Sequence, residues 1–289
     1  MINIDFSKNI KGTTNISISK VLTYLANPKD QEKMLENTYN KHYNNPESEY
    51  YHLSKEEIKQ IWEDKGAASR QYGSLLDDYI GVVLTGNDAD KELYKLDNDL
   101  DNDERLKGLV SSFDNFYNIL SRSGDMEFIT REKAIYLDLG EGNVINGRFD
   151  ALFYNKRTGK YVIIDWKSSK SIDVNNQWQK LLGPLKTFDD CNYNTYTIQG
   201  YFYKTALLNG YLPEGTSEDD VEFLIVQLPG FVIDGNNNFK IYKPAFKYDK
   251  DLMMKIFNFA ISKHNLLNPK KDFLTRDEAA KMQEEGLPF

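Results

Sequence analysis

Two short stretches carry the residue types best suited to chemistry. Gly147-Arg148-Phe149-Asp150 ends in a carboxylate, and a turn later Ile163-Ile164-Asp165-Trp166-Lys167-Ser168-Ser169 offers a second one beside an ammonium. Side chains alternate along a strand, so Asp165 and Lys167 share a face with Ile163, while Val162, Ile164 and Trp166 share the other. If the two strands pair, Asp150 and Asp165 converge on one cation. Carboxylates suit Mg²⁺ or Mn²⁺, hard ions that prefer oxygen. Such an ion polarises a phosphoryl oxygen and acidifies a bound water. A neighbouring lysine orients the nucleophile and offsets charge on the phosphate. The set therefore suits phosphodiester hydrolysis. Asp-x-Lys alone is a common tripeptide that equally serves as a structural ion pair, so the case rests on what surrounds it.

The elements that must position these residues follow from periodicity. Residues 127–138 and 143–154 predict two strands joined at Glu141-Gly142-Asn143, and Lys160–Lys167 a third after the turn at Asn155–Gly159. Upstream, helices are expected over Ser17–Leu25, after the capping box at Ser54–Glu57 through Trp62, over Ser69–Leu84 and over Leu106–Leu120. Residues 86–105 are dense in acid and read as an exposed excursion. Downstream come a helix at Tyr196–Leu208, strands at Val221–Leu228 and Phe239–Lys243, a helix at Lys250–Leu267 and a short C-terminal helix. This order predicts one α/β (α+β) domain over 1–289, a central mixed sheet flanked by helices. Within it, 1–125 is mainly helical, 126–245 holds the sheet and 246–289 the C-terminal helices.

Composition narrows the functional classes. The longest apolar runs fall far short of the roughly 20 residues a membrane span needs, and Met1–Asp5 has no signal-peptide character. Cys191 is the sole cysteine, which excludes an internal disulfide and an iron–sulphur cluster held by four thiolates. A cytoplasmic protein of a bacterial or phage-infected cell is the expectation, and the Asn-, Lys- and Tyr-rich composition suits an AT-rich genome. The net charge of −8 is awkward for a nucleic-acid partner, yet acid concentrates in 86–105 while 156–186 is rich in lysine. The three histidines have no zinc-ligand spacing. No phosphate-binding Gly-Lys-Ser/Thr loop is present. Asp97–Asp101 begins like a calcium loop, but Asn102 and Gly108 occupy the glycine and glutamate positions.

The Gly147–Asp150 strand, the Asp165-Trp166-Lys167 strand with its following serine, and Gln199 with Tyr203 one helical turn apart resemble, in that order, the core of the PD-(D/E)xK nucleases. The RecB-type and phage exonuclease branch is the most similar. Ser17–Pro28 is similar to that branch's N-terminal helix, with Asn27 where cluster-bearing members have cysteine. Gly73–Asp77 resembles the Gly-x-x-x-His segment, with Asp77 in the histidine position. The stripe Gly73–Asp77–Ile80–Leu84 is otherwise small or apolar, so an inward Asp77 needs a partner or a metal.

The resemblance implies a restriction-endonuclease-like core and one or two Mg²⁺ or Mn²⁺ ions. Asp150, Asp165 and Lys167 are then catalytic. Asp77, Asp150, Asp165, the Trp166 backbone carbonyl and Glu132 are candidate metal ligands. Gln199, Tyr203, Ser168 and Arg148 are candidates for positioning DNA or water. The implied activity is a deoxyribonuclease, foremost an exonuclease in recombination, repair or replication, with DNA and a single-strand annealing protein as partners. A structure-specific endonuclease or nickase and a catalytically silent DNA-binding module are the alternatives. Tyr193, Tyr196 and Tyr201 offer either base-stacking surfaces or core packing.

Overall fold

The computed structural model describes residues 4–233, 235 and 237–269. Six strands form one mixed sheet: β1 (Thr14–Ser17), β2 (Met126–Asp138), β3 (Asn143–Asn155), β4 (Lys160–Lys167), β5 (Val221–Gln227) and β6 (Lys240–Tyr242). The order is β1-β3-β4-β5-β6, and β2 pairs with β3. β4 is buried over Tyr161–Trp166, as befits a central strand covered on both faces. One face carries α1 (Ile18–Leu25), α6 (Asn192–Leu208) and α7 (Lys250–Leu267), packed through Val21, Phe202 and Phe257. The other carries α3 (Lys55–Thr85), α4 (Asp88–Asp97) and α5 (Glu104–Ser121), packed through Ile80, Tyr94 and Phe113. The expected architecture, a central mixed sheet flanked by helices, is what the chain forms.

Several elements differ from expectation. The helices expected at 54–62 and 69–84 are one continuous α3, because Gly66 and Gly73 lower propensity without supplying a stop and the Ile80 face is held by the core. The acidic segment 86–105 is not a plain excursion. Asn87 and Asp90 form a capping box that starts α4, and Tyr94 anchors it by donating to the Leu75 carbonyl at 2.6 Å. α2 (Gln31–His42) buries no residue, so no apolar stripe announced it. β1 is four residues long and exists only through parallel pairing with Asn143–Asn146. The short C-terminal helix expected beyond α7 lies outside the described residues.

What matters for function is how β3 meets its neighbours. β2 runs along one edge of β3. The other edge is shared: β1 pairs as far as Asn146, and β4 pairs only from Ala151 opposite Ile164. Gly147–Asp150 therefore lie in a gap between the two partners. β4 stays with β5 through Lys167, opposite Gln227. The sheet is thus split between Asp150 on β3 and Asp165 on β4. β3 also changes phase here, since Phe149 and Leu152 enter one core while Ala151 and Phe153 enter the other. Opposite Asp150 on β2, Glu132 takes φ = 55°, a left-handed conformation that costs a non-glycine residue about 1–2 kcal/mol.

Candidate active site at the split strands

Asp150 bridges the split with its side chain. Its Oδ2 accepts the Trp166 backbone N–H at 2.8 Å, so the carboxylate takes the place of the missing strand bond. Asp165 is 1% exposed; its Oδ2 stands 2.6 Å from Lys167 Nζ as an ion pair, and its Oδ1 is buried with no hydrogen-bond partner. Lys167 also sits 4.6 Å from the centre of the Tyr196 ring on α6, a cation–π contact on its other side. Trp166 turns to the opposite face, edge-on to Phe113 and Phe116. The alternation read from the sequence holds along β4.

A cleft of about 660 Å³ opens on the Asp150 side of the split. α3 contributes Arg70, Gly73 and Asp77 to its wall, and the sheet contributes Glu132, Arg148, Asp150, Trp166 and Ser168. Asp77 is held by Arg131, whose Nη2 donates to its Oδ2 at 2.7 Å and to its backbone carbonyl at 3.0 Å. That reach depends on Gly81, where a Cβ would stand 1.8 Å from Arg131 Nη1. Glu132 is paired with Arg148 Nε at 2.8 Å. Three carboxylates, Asp165, Asp77 and Glu132, thus each face a cation of their own. Asp150 forms no ion pair among the described residues and shares the Lys167 charge with Asp165.

Electrostatics follow this arrangement. Burial raises the Asp150 carboxyl far above the usual carboxylate range and the Asp165 charge adds to the effect, against the opposing pull of Lys167 and of the Trp166 N–H. Burial likewise raises Asp165, against the opposing pull of Lys167. Burial works to lower Lys167, but the charges of Asp165 and Asp150 outweigh it and the ammonium is held raised. Glu132 is raised by burial and by Asp77, with Arg148 opposing.

Helix α6 backs the site. Gln199 Nε2 donates to the Tyr203 hydroxyl at 2.7 Å, and that hydroxyl donates to the Arg148 carbonyl at 2.9 Å, so the pair holds the unpaired stretch of β3. Close approach requires Gly147, where a Cβ would meet Phe202 at 2.6 Å, Ile18 at 3.0 Å and Tyr203 at 3.1 Å. Gln227, buried at the end of β5, donates to the Ser169 carbonyl at 3.0 Å and steadies the chain leaving β4. Tyr193 and Tyr201 are structural: their hydroxyls bond the Lys243 and Phe246 carbonyls.

Every candidate named from the sequence falls at the split, on its cleft or on the helix behind it. Arg131, Gly81, Tyr196 in its contact with Lys167, and Gln227 were not found that way. Their partners are distant in the chain, and no local pattern marks them. Two carboxylates with an unpartnered oxygen make a hard donor set that fits Mg²⁺ or Mn²⁺. Among the described residues no three His, Cys, Asp or Glu side chains are gathered as a metal-ligand group.

The fold and site define a mixed α/β protein with an acidic pair and a lysine at split central strands. No known family and no curated protein matches the chain. The solved structure described as the crystal structure of SSO0001 is similar over 88% of this chain and 79% of that one, with 12% identity and a TM-score of 0.33. That likeness is too low to bear on fold or chemistry. No helix among the described residues is long and apolar enough to cross a membrane.

Proposed function

We propose that this chain is a Mg²⁺- or Mn²⁺-dependent deoxyribonuclease acting on DNA ends. The observation that carries the reading is Asp150, a carboxylate in no ion pair among the described residues, set across the strand split from Asp165, whose Oδ1 lacks a donor. Asp150 and Asp165 would hold the ion, with the Trp166 carbonyl and water completing its oxygen shell. When bound, the ion supplies Lewis acidity and a water of lowered pKa.

The chain's own residues supply the rest. Lys167, charged and clamped between Asp165 and Tyr196, presents a fixed ammonium to the phosphate and the attacking water. Arg148 is exposed at the cleft and, with Arg70, offers guanidinium groups to backbone phosphates. Ser168 lines the same wall as a neutral hydroxyl. Gln199 and Tyr203 keep Asp150 in place through the Arg148 carbonyl. The choice of ends over internal sites rests on the resemblance to RecB-type and phage exonucleases.

The test is to incubate the protein with linear, closed-circular and end-blocked DNA in Mg²⁺, Mn²⁺ or EDTA, beside Lys167→Ala. Metal-dependent loss of linear DNA alone, abolished in the variant, is the expected result. Cutting of closed circles would make the enzyme an endonuclease. Identical behaviour of wild type and variant with every metal would sink the reading.

A further inference from the structure

The segment between Lys167 and α6 displays a tryptophan to solvent. Trp178 is 91% exposed, an unusual state for a large aromatic surface. It is held there by an ordered loop. Asn176 N–H donates to Asp189 at 3.0 Å, Asn176 Nδ2 donates to the Asp190 carbonyl at 2.8 Å, and Asn176 Oδ1 accepts from the Trp178 N–H at 3.1 Å. Asn27 ties the loop to the end of α1 by donating its N–H to Asp190 at 2.9 Å.

Beside the indole is a cleft of about 440 Å³. Its lining is rich in amides, with Asn175, Gln177, Gln179 and Asn192, and Lys29 and Trp178 are also part of it. Planar amides donate and accept together, the pattern that reads the edge of a nucleobase. Asp189 and Asp190 are turned into the loop's own hydrogen bonds, which leaves Lys29 and Asp173, both exposed on the lining, as its one cation and one carboxylate outside that network. An aromatic plane, amides that both donate and accept, and a lysine at the rim match what an unpaired base on a strand offers.

We infer that Trp178 and its amide-lined cleft form a docking site for an unpaired nucleobase of a DNA strand. The loop leaves β4 directly after Lys167 and enters α6, whose Tyr196 touches that lysine, so a strand held here is tethered to the elements that carry the split-strand site. The inference takes its polymer from the proposed function, but its test is independent of cleavage.

The experiment measures binding in EDTA by the intact protein. Probes are a single-stranded oligothymidylate, a blunt hairpin duplex and thymidine monophosphate, followed by tryptophan emission and by equilibrium titration. The oligothymidylate should quench emission and bind better than the hairpin. Trp178→Ala should weaken that binding by about tenfold, and Trp178→Phe should restore most of it. The position is on the surface, so both variants should keep the wild-type melting temperature. Equal affinity of Trp178→Ala and wild type would overturn the inference, as would equal binding of the monophosphate and the oligomer. Binding that depends on Trp178 in a protein that cleaves nothing would leave this site standing and remove the nuclease reading. Cleavage with binding indifferent to Trp178 would do the reverse.

Discussion

Asp150→Asn should make the metal-free protein more stable at alkaline pH, although it removes a central residue of the proposed site. Asparagine has nearly the same shape, and its Oδ1 can still accept the Trp166 N–H. What it removes is the charge. The Asp150 carboxyl is moved from 3.8 to about 8 in the fold, chiefly by burial. A folded value above the unfolded one gives a stability contribution that is full below about pH 4. It is lost as pH rises through the folded value. At about 1.4 kcal/mol for each tenfold change in proton activity, the ceiling on this loss is roughly 6 kcal/mol. Asp165 beside it is raised as well, and one proton relieves both, so we expect roughly 2–4 kcal/mol at pH 9. The assay is urea unfolding of both proteins in EDTA at pH 5 and pH 9. The variant should gain at pH 9 and gain markedly less at pH 5, about one decade into the four-decade window. Mg²⁺ or Mn²⁺ should raise the wild-type midpoint at pH 9 and leave the variant nearly unmoved. A variant less stable than wild type at pH 9 without metal would refute the charge argument.

Other perturbations test the supports. Gly147→Ala places a methyl among Phe202, Ile18 and Tyr203, and such overpacking should cost about 1–3 kcal/mol in equilibrium unfolding. Phe202→Leu in the same chain should recover part of it. Tyr203→Phe strips Gln199 Nε2 of its acceptor and the Arg148 carbonyl of its donor. The expected loss is about 1–3 kcal/mol, with a fall in DNA cleavage larger than the fall in DNA binding. Alanine for a mid-helix glycine normally gains up to about 1 kcal/mol, but Gly81→Ala evicts Arg131 from Asp77 and should fail to stabilise. In an Arg131→Ala background the same change should become stabilising by thermal melt.

Much of the local structure was legible because local rules decide it. Lys160–Lys167 and Lys250–Leu267 form over the bounds expected, one an apolar block after a Gly159 turn, the other a periodic stripe opened by the Asp249 cap. The Asn87 capping box was equally local, and it was obscured by the acid around it. α2 carries no apolar stripe, and β1 gains its hydrogen bonds only from a strand far along the chain.

The same division runs through the site. The sequence by itself determined the candidate residues: Asp150 within β3, Asp165 and Lys167 toward the end of β4, and Gln199 with Tyr203 one turn apart on α6. Strand alternation and helical pitch fix which of these share a face. Tertiary structure decided their charge and company. It split β3 from β4 beside Asp150, gave Asp77 to Arg131 across Gly81, gave Glu132 to Arg148, and left Asp150 outside any ion pair among the described residues. Those outcomes depend on which distant backbones fail to pair and which side chains reach across a layer. Burial and Coulomb energy are set by such neighbours in space, not in the chain.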